Sequence, residues 1–158
     1  HEPSRRQRQM CIRDRYNRTF SMNLEMIESM WKEDSKLDDE KLDHDSLAIP
    51  RKHAKYLQLL NQVTMLRDEH ELKLKSLYRE LWEFYTGKST KPFPTKLLKT
   101  DISIYIDSDE KYQKAVFKLK YYNQMIDTLK SILTAVNNQS FMIKNAIEFA
   151  KMLKGYDV

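Results

Sequence analysis

Long stretches without glycine or proline limit what this chain can fold into. The 158 residues include two Gly and four Pro, and none of these lies between Pro50 and Gly87. Gly and Pro are the residues that most often end or kink helices, whereas the abundant Lys, Glu and Leu favour them. Hydrophobic residues make up 41% of the chain, enough for a single domain with a core. We therefore expect an all-α fold.

The central segment, residues 50–85, predicts a helix about 50 Å long at a rise of 1.5 Å per residue. Pro50 suits the first helical position, where its missing N–H costs nothing, and Gly87 suits the C-terminal end. Arg67 and His70 interrupt an otherwise apolar seam with alternating steps of three and four residues. The apolar members of this seam are Tyr56, Leu60, Val63, Leu74, Leu77, Leu81 and Phe84.

Two shorter segments flank the central one. Residues 22–36 have the spacing of a short amphipathic helix, and the acidic residues 34–45 after it are typical of a linker or frayed turn. Isoleucines alternate with polar residues over 102–106, which predicts a short extended segment, with a helical turn as the open alternative. Asp107 is expected to cap the next helix, with Glu110 as its reciprocal partner.

A second long helix is predicted over residues 108–137, where apolar positions keep the three–four spacing for about four heptads. Asn137 and Asn138 are expected to break it before a separate C-terminal amphipathic helix over residues 140–154. Two long helices and a short one cannot easily bury every apolar stripe within one protomer, so the last helix predicts homo-oligomerisation. Its candidate contact residues are Met142, Ala146, Phe149 and Leu153.

The charge balance depends on the first 21 residues. They contain six Arg and two acidic residues, so the formal charge falls from +5 to +1 when they are left out. Residues 5–14 resemble an in-frame translation of a sequencing-library adapter. We interpret residues 1–21 as a non-native extension before a natural start at Met22, the alternative being a disordered basic arm. The single cysteine, Cys11, lies in this extension.

The sequence offers little for catalysis. No glycine-rich phosphate loop is present, no Ser lies in a nucleophile elbow, and His44, His53 and His70 lack metal-ligand spacing. We predict a protein that is not an enzyme and has neither a cofactor nor a metal. With a mean hydropathy of -0.74 and neither a membrane-span pattern nor a signal peptide, a cytoplasmic setting is expected.

The C-terminal part of the central helix mixes cations with aromatic residues. Proteins that bind single-stranded nucleic acids combine cations for the phosphates with aromatic faces for the bases. The alternative is a solvated helix face, because Glu69, Glu71, Glu80 and Glu83 dilute the positive field. Candidate phosphate contacts are Arg67, Lys73, Lys75, Arg79, Lys88 and Lys91, and candidate stacking residues are Tyr78, Trp82 and Tyr85.

Three segments carry a family resemblance. Residues 77–88 (LYRELWEFYTGK), 119–122 (LKYY) and 141–148 (FMIKNAIE) resemble UvsY-type recombination mediator proteins of T-even-like phages, especially cyanophages. The resemblance extends over residues 22–155. It implies a homo-oligomeric ring of six or seven subunits that binds single-stranded DNA, helps displace single-strand-binding protein and loads a RecA-like recombinase in recombination, repair and recombination-dependent replication. It also implies the cytoplasm of an infected host cell.

The resemblance also divides the chain. It implies a DNA-binding region over residues 22–107 and an oligomerisation region over residues 108–158. Arg79 matches a basic DNA contact of the family, whereas the register of Lys73 and Lys75 is uncertain, and one basic family position falls on Leu81. A helical adaptor that oligomerises without binding DNA is the alternative function.

Overall fold

Four helices make up the regular structure of the computed structural model, which describes residues 22–155. Nothing in this range forms a β-strand, which confirms the all-α prediction. The interpretation of residues 1–21, and of Cys11 within them, lies outside the described residues. The helices, in chain order, are α1 (Leu24–Asp34), α2 (Leu42–Tyr85), α3 (Ile102–Asp107) and α4 (Glu110–Leu153).

Helices α2 and α4 form a long antiparallel hairpin. At one end the rings of Tyr78 and Tyr112 lie 5.8 Å apart, and at the other the Lys52 ammonium donates to the Gln139 side chain at 3.3 Å. Helix α1 lies alongside α4 in the same direction. Its first backbone N–H, from Leu24, donates to the Tyr121 hydroxyl at 2.8 Å. The chain therefore folds as a hairpin of two 44-residue helices with a short third helix on its side.

The core lies where α1 covers the hairpin. Trp31 of α1 meets the fully buried Tyr56 of α2 edge-on, with ring centroids 5.7 Å apart. Because the apolar residues recur every three or four positions, each helix presents one continuous stripe to the others. The buried cluster consists of Ile27, Tyr56, Val63, Met125, Ile126, Leu129, Ile132 and Val136.

Polar contacts between α1 and α2 surround this core. The Tyr56 hydroxyl donates to the Asp34 carboxylate at 2.8 Å, and the Lys55 ammonium donates to the same oxygen at 2.7 Å. Burial acts to raise the pKa of Asp34, but the hydrogen bonds from Lys55 and Tyr56 outweigh it and hold that pKa below its usual range. Burial, together with the Asp34 carboxylate, raises the pKa of Tyr56. These contacts fix the end of α1 to the hairpin.

The two polar residues of the α2 seam have partners on α4. The Nε2 atom of His70 lies 2.8 Å from the Ala115 carbonyl oxygen, so it carries the proton and donates, because a carbonyl can only accept. The Arg67 guanidinium donates to the Asn123 side chain at 3.3 Å. Both residues are half-buried and bridge the hairpin, which supports a structural role for His70.

Helix α2 begins earlier than predicted. It starts at Leu42, so the expectation that Pro50 occupies the first helical position is wrong, and Pro50 lies inside the helix. The Asp38 backbone N–H donates to the Asp45 carboxylate at 2.7 Å and fixes the start. Asp43 and Asp45 lie in the first turn, where negative charge is favourable to the helix dipole. The acidic stretch 34–45 thus includes the end of α1, a short connection and the first turn of α2.

The second half of the chain differs from the prediction in three places. Helix α4 continues through Asn137 and Asn138, so the predicted break is wrong, and the C-terminal amphipathic segment is the last part of α4. The N-cap of α4 is Asp109, whose carboxylate accepts from two backbone N–H groups, and not Asp107. Residues 102–106 are helical, within the short α3, so the helical alternative is the right one.

Candidate nucleic-acid interface

The last turns of α2 carry a ridge of two cations and one indole, formed by Lys75, Arg79 and Trp82. Their spacing of four and then three residues places them on one face of the helix. All three side chains are exposed, Trp82 to 37%. Arg79 pairs with Glu83 at 3.0 Å, but its side chain is 81% exposed, so the pair contributes little to stability and can exchange for another anion. We call this set the α2 ridge.

Two predicted phosphate contacts lie away from the α2 ridge. Lys73 lies two residues before Lys75, which at 100° per residue puts it about 160° around the helix, and it pairs with Glu69 at 2.9 Å. The Arg67 guanidinium is held between Asn123 and Asp68, the latter at 2.6 Å. Lys73 therefore lies off the ridge because of its position around the helix, since its ion pair is as exposed as that of Arg79. Arg67 lies off the ridge because protein partners hold its guanidinium.

The three predicted stacking residues differ in how far contacts within the protein occupy their rings. Trp82 is approached by the Lys88 ammonium, 4.3 Å from the ring centroid, a cation–π contact at an exposed site. Tyr78 is 40% exposed and its edge packs against Tyr112. The Tyr85 hydroxyl donates to the Asp109 carboxylate at 2.9 Å, and burial and this bond raise the pKa of Tyr85. Trp82 is thus the predicted stacking residue best placed for an external planar group.

The connection between α2 and α3, residues 86–101, folds back over the end of α2. Gly87 has a φ of 80°, a left-handed conformation that side chains disfavour, and this lets the chain turn. The Phe93 backbone N–H donates to the Phe84 carbonyl at 3.1 Å, and the Phe93 ring contacts Phe84, Tyr85 and Tyr105 with centroids 5.3–5.9 Å apart. The connection is therefore anchored by an aromatic cluster.

This connection is strongly basic. Residues 86–100 contain four lysines and no acidic residue. Lys88 and Lys91 were expected from the sequence to contact phosphates, and both are exposed. Lys96 and Lys99, which lie on the same connection, were not predicted as site residues. The signal that identifies them is the stretch of residues 86–100, which has no carboxylate before Asp101, in contrast to the Glu-rich helix that precedes it.

The C-terminal end of α4 extends past its last buried residue, Ile143, and every described residue after it is exposed. The predicted oligomerisation residues lie here: Met142 is 58% exposed, Phe149 57% and Leu153 70%, and Ala146 is also exposed. Exposed apolar residues that follow one another along a single helix face are typical of protein–protein contact surfaces. We call these four residues the α4 apolar face.

Other site types find little support in the described range. Residues 22–155 contain no group of three or more His, Cys, Asp or Glu side chains that could hold a metal ion. Within the same range, no helix combines the length and the apolar character needed to span a bilayer.

Comparison with known proteins identifies the family. A family model described as "Recombination, repair and ssDNA binding protein UvsY" matches residues 30–156. The chain belongs to the UvsY family. A sequence search of curated proteins finds no match.

Solved structures show the same fold. The bacteriophage T4 recombination mediator protein UvsY, in its lattice type II crystal structure, aligns with a TM-score of 0.77 over 85% of this chain and 98% of that chain, at 20% identity. The lattice type IV structure aligns at 0.76 with 18% identity over 83% and 98% of the two chains. The lattice type I structure aligns at 0.74 with 17% identity over 79% and 96%. The UvsY fold therefore extends over most of the chain.

Membership of the UvsY family confirms the resemblance seen in residues 77–88, 119–122 and 141–148, all of which lie within the matched range. It makes this chain a member of a recombination, repair and single-strand DNA binding family, and the family description names no catalytic reaction. Leu81, on which the resemblance places a basic family position, is 7% exposed and packs into the hairpin, so it offers no phosphate contact.

Proposed function

We propose that this chain is a recombination mediator that binds single-stranded DNA and loads a RecA-like recombinase onto DNA covered by single-strand-binding protein. The observation that carries the proposal is the α2 ridge, where Lys75 and Arg79 share an exposed face with Trp82. The ridge lies beside residues 86–100, which contain four lysines and no carboxylate. Cations on such a ridge contact phosphates, and the indole stacks with a base. Family membership and the fold support the proposal.

Repetition of the α2 ridge in an oligomer would let a nearly neutral protomer bind DNA tightly. Residues 22–158 carry 22 basic and 21 acidic side chains, so a single copy attracts a polyanion weakly. In a ring of six or seven copies, joined through the α4 apolar face, the ridge would be presented repeatedly to one strand. The binding events after the first are then intramolecular, and the counterion release from each phosphate contact adds to the others.

The ridge is tested by a matched pair of variants on one helix. We expect the double variant Lys75→Ala/Arg79→Ala to lose at least about tenfold in affinity for unstructured single-stranded DNA, measured by fluorescence anisotropy at two salt concentrations. The slope of log affinity against log salt should fall by about 0.7 for each phosphate contact removed. Lys73→Ala, on the opposite side of α2, is the control and should change the affinity little.

One result would contradict the assignment of the α2 ridge, and another would contradict DNA binding itself. If Lys73→Ala costs as much affinity as the double variant, the α2 ridge is not the contact surface. If the unmodified protein has no affinity at low salt, DNA binding itself is wrong, and a helical adaptor that only oligomerises is the better description.

Assembly is tested on α4. Phe149→Glu places a charge in the α4 apolar face and should lower the mass measured by light scattering, with weaker DNA binding as a consequence. Lys151→Glu, an exposed position on the other side of the same turn, is the control. An unchanged mass for Phe149→Glu would exclude this face as the subunit contact.

The loading of the recombinase is tested by a separate assay. With single-stranded DNA covered by single-strand-binding protein, we expect the protein to shorten the lag before a RecA-like recombinase from the same source hydrolyses ATP. The double ridge variant should not shorten it. A lag that the unmodified protein leaves unchanged would reduce the proposal to DNA binding alone.

A further inference from the structure

A cavity of about 780 Å³ lies between the end of α2 and the connection that follows it. Its wall contains three aromatic rings, those of Trp82, Tyr85 and Phe93. Lys88, Lys96 and Lys99 also line it, and no acidic residue does. Cavities that hold small ligands have volumes of roughly 300–1,000 Å³, so there is room for a nucleotide.

The aromatic wall is fixed before any ligand arrives. Phe93 is held by its backbone hydrogen bond to Phe84 and by ring contacts with three neighbours. Tyr85 is held by its hydrogen bond to Asp109, the residue that also caps α4. Because these rings are already ordered, a planar ligand could bind without the cost of ordering them.

The chemistry of the lining specifies the ligand. Aromatic faces without a matching set of directional hydrogen-bond groups select planar rings with little preference among them, and lysines without carboxylates select phosphate. An acyclic anion would leave the rings unused, and a neutral apolar ligand would leave three ammonium groups unused. A nucleobase attached to its phosphate matches both parts of the lining.

We propose that this cavity accepts one unstacked base of the bound single strand, with Phe93 as a wall residue and Lys96 and Lys99 as contacts to the adjoining phosphates. This inference rests on the proposed DNA binding and extends it from the exposed α2 ridge to a base site in the neighbouring cavity. Trp82 belongs to both surfaces, so the strand would run from the ridge into the cavity.

Trp82 provides a direct optical test. The chain has two tryptophans, and Trp31→Phe, which keeps an aromatic ring beside Tyr56, leaves Trp82 as the single reporter. This variant is titrated with an oligothymidylate and with an abasic deoxyribose-phosphate oligomer of equal length. We expect both to bind through their phosphates, but only the thymidylate to quench Trp82 strongly, because it alone has bases to stack.

Two further variants separate the base from the phosphate. Phe93→Leu keeps the apolar filling and removes the ring, and it should weaken thymidylate binding by about 5- to 140-fold, the effect of one stacked base, without changing the binding of the abasic oligomer. Lys96→Gln/Lys99→Gln should weaken both. The controls are Phe117→Leu, an exposed ring that does not line the cavity, and Lys130→Gln, an exposed lysine next to the core residue Leu129.

The outcomes distinguish the cavity from the function on which it rests. If both oligomers bind but neither quenches Trp82 more than the other, or if Phe93→Leu behaves like Phe117→Leu, the base site is wrong while DNA binding stands. If neither oligomer binds the unmodified protein, the proposed function fails, and the base site fails with it.

Discussion

The contact between Tyr56 and Asp34 allows a quantitative test of how α1 is held on the hairpin. Tyr56→Phe removes one hydroxyl from a fully buried ring and leaves the ring packing against Trp31 in place. A hydrogen bond to a charged group contributes about 1.5–3 kcal/mol. Asp34 keeps Lys55 as a partner and has 28% of its side chain exposed, so we expect a loss at the lower end, about 1–2 kcal/mol.

The assay is urea denaturation at one fixed protein concentration, followed by helical circular dichroism, because the proposed assembly would make the apparent stability depend on concentration. Tyr122→Phe is the matched control. Tyr122 also packs against the core, but its hydroxyl has no hydrogen-bond partner within residues 22–155. The control should change the free energy of unfolding by less than about 0.5 kcal/mol.

The loss of stability caused by Tyr56→Phe should depend on pH and become smaller in acid. The pKa of Asp34 is lowered in the folded protein, so its stabilising contribution is present above the unfolded pKa of about 3.9 and is lost as the pH falls through the folded value. The difference between Tyr56→Phe and the unmodified protein should therefore be complete at pH 7 and shrink below about pH 4. Equal losses for both Tyr-to-Phe variants, or a difference that persists in acid, would refute the reasoning.

Two further predictions concern the helices themselves. Asn137→Ala/Asn138→Ala should raise the free energy of unfolding by about 1 kcal/mol, because Ala favours a continuous helix more than Asn does; a loss of stability in urea denaturation would instead indicate that an Asn caps a helix there. Gly87→Ala should lower it by about 1–2 kcal/mol through its left-handed backbone alone, since no atom outside Gly87 and its two chain neighbours lies within 4 Å of the added Cβ. Gly87→Asn should cost less in the same assay, and an equal cost would argue against a conformational origin.

The sequence predicts the helices well because their apolar spacing is a local property. The seam from Tyr56 to Leu81 follows from steps of three and four residues between apolar positions, and the structure buries both of these residues. The ends of helices are harder to predict, because they depend on contacts that the spacing of apolar residues does not reveal. The bond between Asp38 and Asp45 extends α2 past Pro50, and no property of the single residue Pro50 reveals it.

The continuity of α4 has a similar cause. Asn137 and Asn138 are often found at helix ends, so their sequence favours a break there. The buried residues on either side, Val136 and Gln139, pack against the other helices, and Gln139 also donates to the Ser35 carbonyl at 3.3 Å. This tertiary packing stabilises the helix through two residues with low helix propensity.

The candidate site was predictable in composition but only partly in arrangement. The opposite sides of Lys73 and Lys75 follow from the predicted helix and their spacing of two residues. The connection after Gly87 has no periodic pattern, so nothing in the sequence indicated that Phe93 folds back onto Tyr85 and brings Lys96 and Lys99 to the same cavity.

The length of α4 links the two ends of the molecule mechanically. From Tyr112, which packs beside the ridge, to Phe149 on the apolar face, the helix runs for about 55 Å without interruption. A rod of this length magnifies small rotations: a tilt of about 5° at the proposed subunit contact would move the far end by about 5 Å. That exceeds the rise of about 3.4 Å per nucleotide along a strand of a DNA duplex. In the proposed ring, slight changes in how neighbouring copies join would thus alter which phosphates each protomer can reach, without any change in the residues proposed to contact them.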